Sequence, residues 1–265
     1  MYAFDYDKPA DLAGALAALK AEDAKALAGG QSLIPTLKQR LAQPSTLVDL
    51  KGLPELQGVS VDAASVTIGA AARHAAVAEH AEVVKAIPAL AALAGKIGDP
   101  QVRNRGSLGG SLANNDPSAC YPSAALALGA TIKTDRREIG ADAFFQGLYE
   151  TALEEDELIV SVSFPIPEAA GYAKFVQPAS RFALTAVFVA KFAAGVRVAV
   201  TGAGESGVFR HAALEQALTA SFAPQAVEGV AVSADGLIED LHGTPAYRAN
   251  LIKVMAGRAT AEALG

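Results

Sequence analysis

Two glycine-pair segments are the residues of this chain best suited to chemistry. The first is Ala28-Gly29-Gly30-Gln31-Ser32-Leu33, between the short apolar stretch Ala24 to Ala28 and an apolar helix pattern that starts at Leu33. A strand that ends in paired glycines and enters a helix lets several backbone N–H groups point into one concavity. The helix start adds partial positive charge, so a phosphate is accommodated there. The second segment is Gly106-Ser107-Leu108-Gly109-Gly110-Ser111, a glycine pair before a possible helix start, leading into Leu112-Ala113-Asn114-Asn115-Asp116. It adds serine and asparagine side chains able to donate to phosphate oxygens. Each segment alone is as readily a tight turn or a flexible loop. Two in one chain match a pyrophosphate, whose two phosphates can be gripped from both sides. Neither fits G-x-G-x-x-G or G-x-x-x-x-G-K-[ST], which argues against a Rossmann dinucleotide site and a P-loop.

Other chemistries are excluded by residue type. The single cysteine, Cys120, cannot form an internal disulfide or supply the thiolates of an iron–sulfur cluster. The four histidines (His74, His80, His211 and His242) show no zinc-ligand spacing. His74, in AAARHAAV, has no paired carboxylate or nucleophile beside it and reads as structural, so no catalytic residue and no metal ligand is assigned. A formal charge of −6 argues against nucleic acid as a partner. Arg103 and Arg105 flank the second glycine segment, where they could face a phosphate or a partner protein.

The elements that would carry these segments alternate between strand and helix without an internal repeat. Strand patterns cover Ala3 to Tyr6, Ala24 to Ala28, Thr46 to Leu50 and Val66 to Ala70. A helix runs from Asp11 to about Lys20 with an acidic first turn, and a second from Leu33 to Leu41 with Ser32 as N-cap. Val83 to Ala94 is helical around Pro88, which either ends one helix or starts the next. Lys96 to Asp116 is the least regular part of the first half. Leu158 to Phe164 is a strand, and turn residues in Ile166 to Gly171 mark a domain boundary. Beyond it come strands at Ala173–Val176, Phe182–Phe192 and Val196–Thr201, then helices near His211–Leu218, Pro224–Val230 and Tyr247–Ala263. The fold class is therefore α+β. The start of the chain lacks a signal peptide's basic and apolar regions. The apolar run from Phe182 to Val200 is broken by Lys191, Gly195 and Arg197, so no transmembrane segment is expected and the protein reads as cytoplasmic.

AGGQSL followed by IPTLKQRLAQPSTLVDL, and IGDPQVRNRGSLGGSLANNDPSACYP further on, resemble the FAD-binding medium subunit of molybdenum-containing hydroxylases. That family includes the aerobic carbon monoxide dehydrogenases and the xanthine dehydrogenases. GAGESGVFR, later in the chain, is similar to the carbon monoxide dehydrogenase-like branch. The resemblance covers nearly the whole chain. It implies a two-part FAD-binding domain of the vanillyl-alcohol-oxidase/PCMH type over residues 1–165, and a smaller α+β C-terminal domain over 166–265.

The resemblance also assigns residues. Ala28, Gly29, Gly30, Gln31, Ser32 and Leu33, with Ser107, Leu108, Gly109, Gly110 and Ser111, would hold the FAD diphosphate. Asp116 would lie on the adenosine side, and the main chain of Ile159 near the flavin ring. Lys174 matches a family lysine near the cofactor. Phe182 falls where carbon monoxide dehydrogenases place a tyrosine against the isoalloxazine, so the aromatic face is kept and the hydroxyl is lost. Cys120 stands where many relatives carry an FAD-contacting aspartate; a buried inert thiol is its simplest reading. The implied partners are a small subunit with two [2Fe–2S] clusters and a large molybdopterin subunit, assembled as a dimer of heterotrimers. The flavin would carry electrons from the nearer cluster to an acceptor that is NAD, a quinone, a cytochrome or oxygen. The competing readings are a self-sufficient FAD oxidase or reductase of the same fold, and a nucleotide-binding module without redox function.

Overall fold

The computed structural model describes residues 1–265. Three parallel strands open the chain: β1 (Asp5–Asp7), β2 (Ala24–Leu27) and β3 (Thr46–Asp49), in the order β1-β3-β2. Helix α1 (Leu12–Leu19) connects the first two strands and α2 (Leu33–Lys38) connects β2 to β3. Asp11 caps α1 by accepting the Gly14 N–H at 2.7 Å, so the acidic residue expected in the first turn acts from the cap instead. Leu27, Leu37 and Leu47 form a small core between this sheet and α2.

The chain continues through β4 (Val59–Val61) and β5 (Ser65–Gly69) into six helices. These are α3 (His74–Glu79), α4 (Ala81–Ala86), α5 (Pro88–Gly95), α6 (Pro100–Arg103), α7 (Leu108–Asn114) and α8 (Tyr121–Leu128). Pro88 begins α5, where its missing N–H costs nothing. The stretch from Lys96 to Asp116, expected to be irregular, contains α6 and α7. Asp99 and Ser107 cap them by accepting the N–H groups of Val102 (2.9 Å) and Gly110 (3.3 Å). Helices of four and seven residues are too short to show an apolar period, so only their caps announce them. Then come β6 (Thr131–Thr134), β7 (Glu138–Gly140), α9 (Ala141–Phe144), the pair β8 (Phe145–Gly147) and β9 (Glu150–Thr151), and β10 (Ile159–Pro165). The second sheet is antiparallel, ordered β4-β5-β10-β6-β7, so β10 pairs with a strand on each side.

A third sheet is an antiparallel meander of β11 (Ala169–Val176), β12 (Ala183–Phe192), β13 (Gly195–Thr201) and β14 (Phe209–Arg210). The boundary segment Ile166–Gly171 thus ends inside β11. Helices α10 (Ala212–Ala220) and α11 (Pro245–Leu264) follow, and the helix expected to reach Val230 is a single 3-10 turn over Pro224–Val227. Strand β12 is buried on both faces, and its side chains alternate between two cores. Ala186, Phe188 and Ala190 join Val66, Ile68, Leu90, Tyr121 and Phe164 in a 35-residue cluster. Val187 and Val189 face Leu214, Ile252, Met255 and Ala259 of α10 and α11. No helix is long and apolar enough to cross a membrane.

Candidate cofactor site

The segment Ala28–Ser32 leaves the C-terminal end of parallel strand β2 and enters α2, the end of a parallel sheet at which ligands gather. Gly30 adopts φ +71°, a left-handed backbone that only glycine takes readily, and this turn reverses the chain into the helix. No acceptor on the chain takes a hydrogen bond from the backbone N–H of Gly29, Gly30, Gln31, Ser32 or Leu33. Five successive open donors at a turn into a helix are a ready anion cradle. Ser32 occupies the cap position, but its hydroxyl makes no capping bond, contrary to expectation, and is left to solvent or a ligand. Gln31 Nε2 folds back to the Gly29 carbonyl at 3.2 Å.

The second glycine segment lies directly against the first. A Cβ on Gly29 would sit 2.4 Å from the Arg105 carbonyl oxygen and 2.6 Å from Gly106 Cα, so backbone rests on backbone. The Gly110 Cα faces Ala28 in the same contact. The two segments differ in what they offer. Leu108 N–H donates to Ala72 O (3.0 Å), Gly109 N–H to Ala70 O (2.8 Å), and Ser111 N–H to Ser107 O (3.0 Å). With Gly110 N–H capped by Ser107, these amides are spent inside the fold. The Ser107 N–H and the Ser111 hydroxyl remain. The role of Ala70–Ala72 as the platform for α7 was not foreseen. Its signal is the run of small residues Gly69–Ala72 after β5, which permits such close approach.

The other expected residues distribute around this contact. Asp116 accepts the Ser118 N–H at 2.8 Å and the Tyr149 hydroxyl at 3.1 Å, so its carboxylate is oriented from two sides. Tyr149 was missed by sequence reasoning. Asn115, expected to face phosphate, turns inward: it sits in the left-handed region (φ 42°) and donates to Gly147 O (2.8 Å) and Glu150 O (2.9 Å). Ile159 begins β10 at a register shift against β6. Its position is set by Leu158, which exchanges backbone and side-chain hydrogen bonds with Asp135. The neighbouring Glu157 carboxylate is buried and held down at about 2 by the Arg137 guanidinium.

Lys174, on β11, donates Nζ to the Lys96 carbonyl at 2.9 Å, just ahead of the turn into α6. Phe182 is 58% exposed at the β11–β12 hairpin, so it is not core. Cys120 is buried in the 35-residue cluster, as an inert thiol would be, facing the Tyr172 hydroxyl. Arg103 turns its Nη1 inward to the carbonyls of Ile97 (3.0 Å) and Gly98 (3.1 Å). Arg105 is exposed without an ion pair. His74 is 4% exposed behind the second segment, its Nε2 against Gly106 and its ring 5.3 Å from that of Tyr121. Burial, helped by the Arg103 charge, pushes its imidazole down to about 4 and keeps it neutral. Two concavities, of ≈ 270 Å³ in the C-terminal half and ≈ 880 Å³ between it and Leu128 and Pro165, contain none of these residues.

Residues 2–167 match the family described as the FAD binding domain in molybdopterin dehydrogenase. The chain belongs to that family. Its cofactor is FAD, and it is an oxidoreductase subunit of the molybdenum-containing dehydrogenase type. It is 36% identical to the nicotine 6-hydroxylase medium subunit of Paenarthrobacter nicotinovorans, over 98% of this chain and 97% of that one. It is 33% identical to the carbon monoxide dehydrogenase medium chain of Hydrogenophaga pseudoflava, over 97% and 95%. Among solved structures, reconstituted CO dehydrogenase from Oligotropha carboxidovorans superposes with a TM-score of 0.91 at 29% identity, covering 99% of this chain and 98% of that one. Quinoline 2-oxidoreductase from Pseudomonas putida 86 gives 0.89 at 31%, covering 99% and 97%.

The residues present fit such a dinucleotide. A diphosphate needs closely spaced donors without side chains in the way. Gly29 to Leu33 supply five open amides, while Gly29 and Gly109 lie where a Cβ would strike backbone or Ala70. FAD-family membership and this donor set agree.

Proposed function

We propose that the chain is the FAD-holding electron relay of a heteromeric molybdenum hydroxylase. The observation that carries this reading is the cradle of five open amides, pressed against a second glycine segment, in a chain whose one cysteine cannot ligate a cluster. FAD, when bound, supplies the electron-carrying chemistry, taking electrons from a [2Fe–2S] centre of a small partner subunit and passing them to an external acceptor. Substrate oxidation belongs to a large molybdopterin subunit, and the assembly is a dimer of heterotrimers in the cytoplasm. In this chain, the amides of Gly29 to Leu33 bind the diphosphate, with Ser107 and Ser111 completing the grip. Ala28, Leu108, Gly109 and Gly110 keep the two segments in contact. Asp116 orients the adenosine side, and Ile159, Lys174 and Phe182 border the ring. Residues 1–165 form the FAD-binding unit and 166–265 the C-terminal unit.

The test is to purify the chain with whatever binds it and analyse the complex for iron, molybdenum and FAD. Substrate addition should bleach the visible flavin absorbance only when the partner subunits are present. Turnover by the single chain would sink the relay in favour of a self-sufficient oxidase.

A further inference from the structure

Phe182 is placed by something other than burial. It stands exposed at the end of the Gln177–Phe182 hairpin that joins β11 to β12. Within the hairpin, Gln177 N–H donates to Phe182 O (2.9 Å) and Arg181 N–H to Gln177 O (2.8 Å), with Arg181 at φ +62°. One side-chain hydrogen bond leaves it, between Gln177 Nε2 and His242 Nδ1 at 2.7 Å.

His242 belongs to a tight turn built on Asp240, whose Oδ1 accepts the N–H groups of His242 (2.9 Å) and Gly243 (3.1 Å). The other oxygen of Asp240 accepts Arg248 Nη2 at 2.8 Å. Arg248 is 2% exposed, an unusual site for a guanidinium. Its Nη1 donates to Leu184 O (2.6 Å), in β12, and Gly202 O (2.8 Å), just past the end of β13. Leu184 is free to accept because the β11–β12 register shifts there, with Val176 opposite Ala183 and Phe175 opposite Thr185. Gly202 is pressed so close that a Cβ would lie 2.4 Å from the Ala183 carbonyl oxygen, one residue after Phe182. Gly202 N–H and Thr201 Oγ1 in turn hold Pro117 O (2.7 and 3.0 Å), next to Asp116. One buried guanidinium therefore fixes the strand ends that carry Phe182 and the turn that follows Asp116.

We infer that Arg248, Asp240, His242 and Gln177 form a positioning clamp that sets Phe182 relative to the cofactor cradle. The clamp rests on the reading of Phe182 as a ring contact. A planar guanidinium suits it, because two carbonyls and a carboxylate can be held in fixed relative geometry from one group. The exposed end of the clamp, the Gln177–His242 bond, is its adjustable part: losing a bond there frees the hairpin while the buried end stays folded.

The chain has no tryptophan, so Phe182→Trp installs a single reporter. In that background, His242→Ala and Gln177→Ala are made in the full chain, with His242→Asn as the variant that keeps an acceptor in place of Nδ1. The expected result is lower indole anisotropy without FAD, and weaker FAD-dependent quenching of the indole, in both alanine variants. The undocked hairpin population should rise about five-fold, the factor that one net hydrogen bond represents. His242→Asn should restore both signals, and the thermal midpoint of the alanine variants should fall by no more than about 2–4 °C, because neither side chain is core. Unchanged anisotropy and quenching in both alanine variants would overturn the clamp. Absence of any quenching by tightly bound FAD in Phe182→Trp alone would instead remove the ring assignment.

Discussion

Replacing Gly29 with alanine adds one methyl group where two backbone segments already touch. The new Cβ would meet the Arg105 carbonyl oxygen at 2.4 Å, Gly106 Cα at 2.6 Å and the Arg105 carbonyl carbon at 2.9 Å. Ordinary contact for such atoms begins near 3.4 Å, so the segments must separate by about 1 Å. Neither neighbour is a side chain that can swing away. Overpacking typically costs about 1–3 kcal/mol, and an obstacle made of backbone places this site at the upper end. Since the separation opens the cradle itself, about 3 kcal/mol should appear as an FAD affinity reduced by about two orders of magnitude. Gly30→Ala should cost less. It forces a left-handed residue, about 1–2 kcal/mol, but its nearest neighbour is the flexible Ile34 side chain at 2.9 Å. Gly140→Ala, which meets nothing within 4 Å at φ −67°, is the neutral control. Calorimetric FAD titration of the three variants, with flavin-to-protein ratio after desalting, reads the order Gly29, Gly30, Gly140. Wild-type FAD affinity in Gly29→Ala would refute the two-segment cradle.

His74 should make stability depend on pH. Its folded imidazole is held at about 4, below the ordinary 6.5, so the unfolded chain binds the proton more readily. Its contribution is complete above pH 6.5 and is lost as pH falls from there to about 4, by about 3 kcal/mol. Urea midpoints between pH 7 and 4.5 should fall less steeply for His74→Gln, and equal slopes would count against the buried neutral imidazole. Lys174→Ala should weaken FAD binding by up to about ten-fold or shift the flavin potential in a dye-coupled titration. No change in either would leave Lys174 as a strand lysine tied to the Lys96 carbonyl.

What could be read from residue order alone was what a short stretch of backbone demands. Gly29, Gly30 and Gly109 declare positions without room for a side chain, and Asp11 declares a helix start. Pro88 marked an element edge whose direction only packing decided. Helix α6 escaped, and α7 showed only as a possible helix start, because they are held by single caps at Asp99 and Ser107 rather than by an apolar stripe. Asn115 carries the right group for phosphate, yet its amide donates to the fold's own carbonyls at Gly147 and Glu150, partners more than thirty residues away that no local signal shows. Phe182 heads an apolar strand, so its exposure is invisible in pattern and follows from the hairpin turning out of the sheet. The clamp around Arg248 joins residues from Gln177 to His242 to Gly202, separations that no local signal spans.

Strand β12, with one face in each core, bears on how separable the halves are. A fragment ending at Pro165 would leave Tyr121, Ala124 and Leu128 as an uncovered apolar wall. A fragment starting after it would strand Phe188 and Ala190 in water. The second glycine segment is therefore not a transplantable module: α7, through Leu108 and Leu112, shares one interior with the C-terminal sheet and melts with it. A ligand that binds only the folded chain lends its binding energy to the whole cooperative unit, so FAD gripped at Gly29 to Leu33 stabilises α10 and α11 without touching them.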